Sequence, residues 1–236
     1  MLGSKVGKAY CKKHGFIDKL VDTNDEVAYC YKCYVEAERK KKRDRVLFVR
    51  TSQGNKTIGD DTYIINICSA TDCPSKKLGF CKIPKECYAM KAERLYPTCL
   101  PYRRRQTKIW DMNSGEEIAL QLVARARSSN KEIKFVRFSE AGDFRDQSDV
   151  DKMSEVGRVL GRFGIGLYGY TAREDLDFSK CDKNMVVNGS GFMIHNAFTA
   201  VKKEEVEQGE WVCKQDCRVC DKCKERNGLW VRDSIK

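Results

Sequence analysis

The sequence has no apolar run that approaches the roughly 20 residues needed to span a membrane as a helix. Its basic N-terminus, MLGSKVGKAYCKKHG, lacks the apolar stretch and the small-residue cleavage site of a secretory signal peptide. No internal repeat of useful length and no Gly/Ser-rich or Pro-rich linker interrupts the 236 residues. These absences predict a cytoplasmic protein with no membrane partner, large enough for one sizeable domain with small appendages.

Cysteine, by contrast, is abundant, because the chain contains 13 of them. Twelve fall into three groups, and Cys181 stands alone. The groups are Cys11, Cys30 and Cys33 near the N-terminus, Cys68, Cys73, Cys81, Cys87 and Cys99 in the middle, and Cys213, Cys217, Cys220 and Cys223 at the end. In a reducing compartment, clustered thiols are more often metal ligands or redox groups than disulfides. The sequence therefore predicts that metal is central to the function.

The N-terminal group has the spacing of a zinc ribbon or zinc finger. Cys11 and His14 form one pair with two intervening residues, and Cys30 and Cys33 form a second pair fifteen residues later. Four such ligands can form a tetrahedral metal site. Residues 1–36 contain too few apolar side chains to form a core, so they need a bound metal to fold. We therefore predict a small Zn²⁺-binding module over residues 1–36; unrelated thiols beside a surface histidine are the alternative.

The C-terminal group, VCKQDCRVCDKC, has the spacing C-x3-C-x2-C-x2-C. Four thiolates this close in sequence can wrap a [4Fe–4S] cluster, as compact ferredoxin-type runs do. Zinc also suits four thiolates, so the spacing leaves both metals open. The predicted ligands are Cys213, Cys217, Cys220 and Cys223.

The central group is spaced irregularly, as Cys68-x4-Cys73-x7-Cys81-x5-Cys87. A zinc knuckle needs tight turns with two intervening residues, whereas a loop beside a helix can hold an iron–sulfur cluster with wider spacing. Cys99 and Cys181 are interpreted as packed thiols, since free cysteine is commonly a small buried hydrophobe.

The net charge of +11 makes an anionic partner, either nucleic acid or a phosphate-bearing substrate, a reasonable hypothesis. The excess is concentrated in residues 38–45 (ERKKKRDR) and 102–108 (YRRRQTK). A solvated basic surface with no specific partner would explain the same charge.

Strand and helix patterns alternate in the middle of the chain. Strands are predicted over 62–67, 132–140, 165–173 and 184–191, and helices over 85–96, 115–129 and 149–163. This alternation predicts an α/β domain with a parallel sheet. The chain then divides into a zinc-binding module (1–36), a basic helical linker (37–50), the α/β domain with the central cysteines (51–205) and a cysteine-rich, metal-binding tail (206–236).

Polar residues follow the predicted strands, where ligands bind in parallel sheets and barrels. They are Ser139, Glu140 and Asp143 after one strand, Thr171 and Arg173 after the next, and Asn188 and Ser190 after the last. Glu140 and Asp143 are candidate acid/base groups, Arg173 is a candidate anion-binding group, and Arg137 and Ser139 are expected to line the same site. Capping of loops and helices is the alternative role, above all for Asp143 and Ser139.

The segment DCPSKKLGFCKIPKECYAMKAERLYPTCLPYRRRQTKIW, followed by VRFSEAGDF, YGYTAR and VNGSG, resembles the phage gene product 88 family over residues 60–223. That family is similar to radical-SAM proteins. The resemblance implies an incomplete (βα) TIM-like barrel in a viral protein of the host cytoplasm. It also implies that Cys73, Cys81 and Cys87 hold a [4Fe–4S] cluster whose fourth iron takes S-adenosylmethionine or another side chain, with Cys68 as one candidate.

Two functional hypotheses follow. In the first, the protein is an iron–sulfur enzyme or redox protein with one cluster, or two if the C-terminal cysteines hold their own, supplied by an electron donor and acting on an anionic or nucleotide-like substrate. In the second, it is a non-catalytic, metal-stabilised protein that binds nucleic acid or a host factor.

Overall fold

A computed structural model describes residues 49–55, 57–202 and 211–235, together with Glu36 and four short strands nearer the N-terminus. The chain divides into two compact units, Met1–Phe48 and Val49–Lys236.

In the first unit the described strands form two antiparallel pairs. Strand β1 (Ala9–Cys11) pairs with β2 (Gly15–Ile17), and β3 (Leu20–Val21) pairs with β4 (Tyr29–Cys30). Two of the predicted zinc ligands therefore end strands β1 and β4. The other two, His14 and Cys33, lie outside the described residues, as does most of the predicted linker, so the zinc site remains a prediction.

The second unit is built on an eight-stranded sheet in the order β11-β12-β10-β9-β8-β7-β6-β5. Only β5 is antiparallel to its neighbour; every other adjacent pair is parallel. The strands are β5 (Ser52–Gln53), β6 (Thr62–Ile65), β7 (Phe135–Phe138), β8 (Gly166–Thr171), β9 (Met185–Ser190), β10 (Asn196–Lys202), β11 (Trp211–Val212) and β12 (Trp230–Ile235).

Five helices belong to the described part of this unit. They are α1 (Pro74–Lys77), α2 (Tyr88–Leu95), α3 (Cys99–Met112), α4 (Gly115–Arg127) and α5 (Gln147–Gly161). No helix in the described ranges is long and apolar enough to cross a membrane. The predicted mixed α/β class with a mostly parallel sheet is confirmed.

The main core lies between one face of the sheet and helices α4 and α5. Strand β7 alternates, so that Val136 and Phe138 are buried in this core while Arg137 points to the opposite face. Helix α4 contributes Ile118 and Leu122, four residues apart on one side of the helix. One face of the sheet thus packs against the helices, and the C-terminal segment lies on the other face.

Local sequence signals explain where α4 begins. The Ser114 hydroxyl accepts a hydrogen bond from the Glu117 amide at 3.1 Å, and the Glu117 carboxylate accepts one from the Ser114 amide at 2.8 Å. This reciprocal capping box satisfies two donors that the first turn would leave unpaired.

The C-terminal residues do not form a separate appendage. Strand β12 inserts between β10 and β11, and all three belong to the same sheet as β6 to β9. The cysteines of residues 213–223 therefore lie in the connection between two strands of the main sheet.

His195 precedes β10, and its titration should affect stability. Its Nδ1 accepts a hydrogen bond from the Val187 amide at 3.0 Å. Burial, together with the charge of Arg226, lowers the pKa of His195 from 6.5 to about 4. The unfolded chain therefore binds the proton more tightly than the folded chain. The contribution of His195 to the free energy of unfolding is complete above pH 6.5 and is lost as the pH falls toward 4.

We expect the free energy of unfolding, measured with urea, to fall by about 1–2 kcal/mol between pH 7.5 and pH 5. A His195→Asn variant can still accept the Val187 hydrogen bond through its side-chain oxygen but cannot titrate. It should show a much smaller fall over this interval, and an equal fall in both proteins would contradict the assignment.

Candidate functional site

The loops that follow β6 and β7 are joined at the carboxyl ends of the strands. Asn66, immediately after β6, accepts a hydrogen bond from the Ala141 amide at 2.8 Å and donates one to Gln106 at 2.9 Å. Gly142 has φ +75°, and a Cβ there would lie 2.2 Å from the Cys68 sulfur. Only glycine fits this close approach of the two loops.

Asp143 is a buried hydrogen-bonding centre between strands. Its carboxylate accepts bonds from the hydroxyls of Ser75 and Thr171, both at 2.6 Å, and from the amides of Phe144 and Ala172, both at 2.8 Å. Burial raises the pKa of Asp143, and these four donors oppose the rise. With four donors already on its two oxygens, Asp143 is placed to hold the loops together.

Arg173 is also engaged with its own surroundings. Its Nε and Nη2 donate to the two oxygens of Asp175 at 2.7 Å each, and its Nη1 donates to the carbonyls of Phe144 and Arg145 at 2.7 and 2.8 Å. The guanidinium therefore ties the β7–α5 loop to the β8 loop. The catalytic roles predicted for Asp143 and Arg173 stay predictions. Their hydrogen bonds favour a structural role, in which both residues hold the loops after β7 and β8 in place.

Glu140 lies on the more open side of the same loops. Its carboxylate accepts from the Asn55 side chain at 3.3 Å, and its backbone carbonyl accepts from the Tyr88 hydroxyl at 2.6 Å. Tyr88 is 59% exposed, yet the surrounding protein raises the pKa of its phenol through desolvation.

Arg137, Ser139 and Tyr168 carry buried polar atoms that have no hydrogen-bond partner among the described residues: Arg137 Nε, Ser139 Oγ and Tyr168 Oη. Arg137 lies directly opposite Tyr168 in the β7–β8 register, and its guanidinium carbon sits 5.1 Å from the centroid of the Tyr170 ring. Ser139 follows the end of β7 with φ +54°, in the left-handed region that a side chain disfavours. The predicted site residue Arg137 thus lies on the face opposite the main core, and Ser139 follows two residues later, just beyond the end of β7.

The central cysteines surround the same loops but do not all adjoin one another. Burial raises the pKa of Cys73 to about 11, and its neighbour Cys81 adds to the rise. Cys68 has a pKa raised to about 12, chiefly by burial, and its sulfur exchanges hydrogen bonds with the backbone of Asp143 at 3.2 Å. Cys87 packs with Met90 against a small cluster of alanines. Cys73 precedes α1, the Cys81 amide donates to the Ser75 carbonyl of that helix at 3.1 Å, and Cys87 lies at the start of α2.

A buried ion pair that the sequence did not suggest anchors the loop carrying Cys73. Glu93 accepts hydrogen bonds from the amides of Ala70 and Thr71 at 2.8 and 2.9 Å and from Arg103 at 2.9 Å. Burial alone would raise the pKa of Glu93, but hydrogen bonds from Thr71, Ala70 and Arg103 lower it overall. Glu93 belongs to α2 and Arg103 to α3, so these two helices together fix the position of the loop that carries Cys73.

The C-terminal cysteine segment is fixed to the sheet by two buried asparagines. Asn188 donates to the Cys223 carbonyl at 2.9 Å, and Asn196 donates to the Glu225 carbonyl at 2.8 Å. At its other end, the Cys217 amide donates to the Thr57 carbonyl at 2.9 Å. The segment is therefore held across the face that carries Tyr168 and Tyr170.

The four C-terminal thiols lie within electrostatic range of one another. Burial raises the pKa of Cys223 to about 11, a hydrogen bond from Tyr170 opposes this rise, and Cys213, Cys217 and Cys220 add to it. Among the residues the structure describes, no three His, Cys, Asp or Glu side chains form a ready-made metal site. The donor set nevertheless suits a thiophilic metal, because four thiols on one anchored loop can bind such a cation once they are deprotonated.

Fold and site together define a mixed α/β protein with a mostly parallel sheet and thiol-rich loops on one side of it. The chain belongs to the Gene product 88 family, whose sequence profile matches residues 36–215. This confirms the phage gene-product family predicted from the central motifs. Neither the curated proteins nor the solved structures that were searched gave a match.

Proposed function

We propose that this protein is a cysteine-ligated metal protein with a [4Fe–4S] cluster on the C-terminal loop. The observation that carries the proposal is the anchoring of that loop by Asn188 and Asn196, which are both fully buried. Each buried amide also bonds within the sheet, Asn188 to the Gly169 carbonyl and Asn196 to Asn188, so the loop completes their hydrogen bonding and is fixed in position by it. The loop's sequence offers four thiols and few apolar side chains, so its position serves the thiols.

The ligands would be Cys213, Cys217, Cys220 and Cys223. A cluster bound there would supply one-electron chemistry. The chain's own contribution is to set the surroundings: Tyr170 donates to the Cys223 sulfur, and Arg137 places a positive charge near Cys217. Hydrogen bonds and positive charge at the thiolates favour the reduced, more negative state.

The central cysteines supply a second candidate centre. Cys73 and Cys81 are neighbours, and Cys87 caps a helix whose N-terminus favours a thiolate. In a radical-SAM-like protein with an incomplete barrel, this centre would lie at the carboxyl end of β6 and could bind S-adenosylmethionine. The zinc site of the first unit would then be purely structural.

Anaerobic purification with metal and sulfide analysis tests this proposal. We expect a brown protein that absorbs at about 400 nm and gives an electron paramagnetic resonance signal after reduction. Zinc alone, in a colourless protein, would refute the iron–sulfur assignment. Binding of nucleic acid that falls steeply with salt would then favour the non-catalytic hypothesis.

A further inference from the structure

A buried lysine lies within the C-terminal cysteine loop. Only 4% of the Lys224 side chain is exposed, and its Nζ donates to the Cys217 carbonyl at 2.9 Å and to Asp221 Oδ1 at 2.8 Å. The same ammonium lies 4.4 Å from the centroid of the Phe135 ring, which leaves β7 on the face opposite the main core. Lys224 therefore ties the Cys217 end of the loop to the end that carries Cys223, and both to the sheet.

The fold by itself gives little reason for a cation at this position. A buried ammonium loses its hydration, and the carboxylate that pairs with Lys224 belongs to Asp221, whose side chain is 58% exposed. An unbranched apolar side chain such as methionine would pack on Phe135 without that cost. The positive charge is explained if the loop carries more negative charge than Asp221 supplies.

Arg137 brings a second cation to the same region. It lies two residues after Phe135, so both side chains leave strand β7 on the same face. The buried Arg137 Nε has no hydrogen-bond partner among the described residues, and the guanidinium carbon is 5.1 Å from the centroid of the Tyr170 ring. The Tyr170 hydroxyl in turn donates to the Cys223 sulfur. One cation thus approaches the cysteines from the sheet, and Lys224 approaches them from within the loop.

The cysteines are sensitive to both charges. Burial raises the pKa of the Cys217 thiol, and Arg137 and Lys224 oppose the rise. Four thiolates carry more negative charge than a bound dication or the core of an iron–sulfur cluster neutralises, so a metal centre on this loop is anionic. Two neighbouring cations offset that excess in a place where burial leaves little water to screen it.

We infer that Lys224 is a positioning residue of the C-terminal metal centre: it holds the Cys217 backbone in place and, together with Arg137, balances the negative charge of the metal–thiolate group. Lys224 acts through the Cys217 carbonyl and through its charge, and it is not a ligand. The inference rests on the part of the proposed function that places a metal on this loop, and it holds for iron–sulfur and for zinc alike.

Cobalt binding to metal-free protein tests this role. Full-length protein is reduced, stripped of metal under anaerobic conditions and titrated with Co²⁺ against a competing chelator, while the thiolate-to-cobalt absorption is recorded. The part of the binding that disappears in Cys220→Ser belongs to the loop. We expect Lys224→Met to weaken this part about 10–100-fold, the usual cost of removing a group that supports metal ligands. Lys224→Arg keeps the charge and the donors and should recover most of the affinity.

Lys222→Met is the matched control. Lys222 lies on the same loop, but its ammonium is 5.1 Å from the centroid of the partly exposed Trp211 ring. This variant removes one positive charge from the loop and should bind Co²⁺ as the wild type does. Urea unfolding of the metal-free proteins separates folding from binding, because a role in folding alone would lower the stability of Lys224→Met and leave its cobalt affinity unchanged.

Arg137→Gln tests the charge balance without altering the hydrogen bonds of Lys224, and it serves if Lys224→Met does not fold. It should weaken the binding of Co²⁺ to the loop about 10-fold. Unchanged affinity in either variant, or equal weakening in Lys224→Met and Lys222→Met, would overturn the inference.

The same titration distinguishes this inference from the iron–sulfur assignment. Wild-type protein that is purified with zinc alone, and whose variants still show the expected order of cobalt affinities, would refute the iron–sulfur cluster and support the role of Lys224. Wild-type protein without any cobalt binding that depends on Cys220 would refute the metal centre of the loop and this inference with it.

Discussion

Replacing Arg103 with methionine should lower the free energy of unfolding by about 3–5 kcal/mol. The Arg103 and Glu93 side chains are only 6% and 2% exposed and lie 2.9 Å apart. Methionine would leave the Glu93 carboxylate buried without its counter-ion, although the amides of Ala70 and Thr71 would still donate to it. The loop that carries Cys73 should loosen as a result, since those amides are its anchor.

The adjacent residue provides a matched control. Arg104 is on the same helix and pairs with Asp72 at 2.9 Å, but both side chains are 40% or more exposed. Such a pair contributes about 0–1 kcal/mol, so Arg104→Met should be nearly neutral. Urea unfolding of the two variants measures the difference, and equal destabilisation would show that the Glu93–Arg103 pair does not anchor the loop.

Replacing Cys220 with serine should remove the proposed metal centre of the C-terminal loop, because a serine hydroxyl is a poor substitute for a thiolate ligand. Anaerobically purified variant protein should lose the iron and sulfide of this loop and keep only what the central cysteines bind, and any zinc bound by residues 1–36 should be unchanged. The thiol of Cys220 is not used by any described hydrogen bond, so the substitution acts on the ligand set rather than on packing.

Cys181→Ser is the control for this variant. Cys181 is a partly buried thiol packed against the main core, away from the C-terminal cysteines in sequence. It should retain iron and sulfide at the wild-type ratio while losing a little stability. Iron and sulfide retained at the wild-type ratio in Cys220→Ser would show that the loop does not bind a cluster and would leave the central cysteines as the candidate ligands.

Much of the α/β framework could be predicted from local patterns. The amphipathic repeat that predicts a helix over 115–129 corresponds to α4, and the runs TYIINI and EIKFVRFSE contain β6 and β7. These segments are periodic and end in clear signals, such as the Ser114 capping box. Local preference and tertiary packing agree there.

Other elements were missed for physical reasons. Strand β10 follows β9 in parallel after only five residues, whereas such crossovers usually need a dozen or more, and no strand was predicted there. Helix α3 begins with Cys99 and Pro101 and continues through three arginines, which obscures its apolar face. Proline in a first turn is nevertheless compatible with a helix, since its missing amide is unpaired there anyway.

Whether the polar residues after the strands form a site stays a prediction. The structure shows that the loops following β7 and β8 are joined through Asp143. The sequence could not show that Asp143 and Arg173 are already saturated with partners, nor that Arg137 is not. Asn196 was missed, because an amide that binds the C-terminal loop becomes visible only when neighbouring strands are in register.

The central claim is that Cys213, Cys217, Cys220 and Cys223 hold a metal centre beside Arg137 and Tyr170. Anomalous diffraction from anaerobically grown crystals, recorded at the iron and zinc absorption edges, tests it most directly. The account predicts an iron signal within bonding distance of these four sulfurs. An iron signal only at the central cysteines, or zinc alone in this loop, would contradict it.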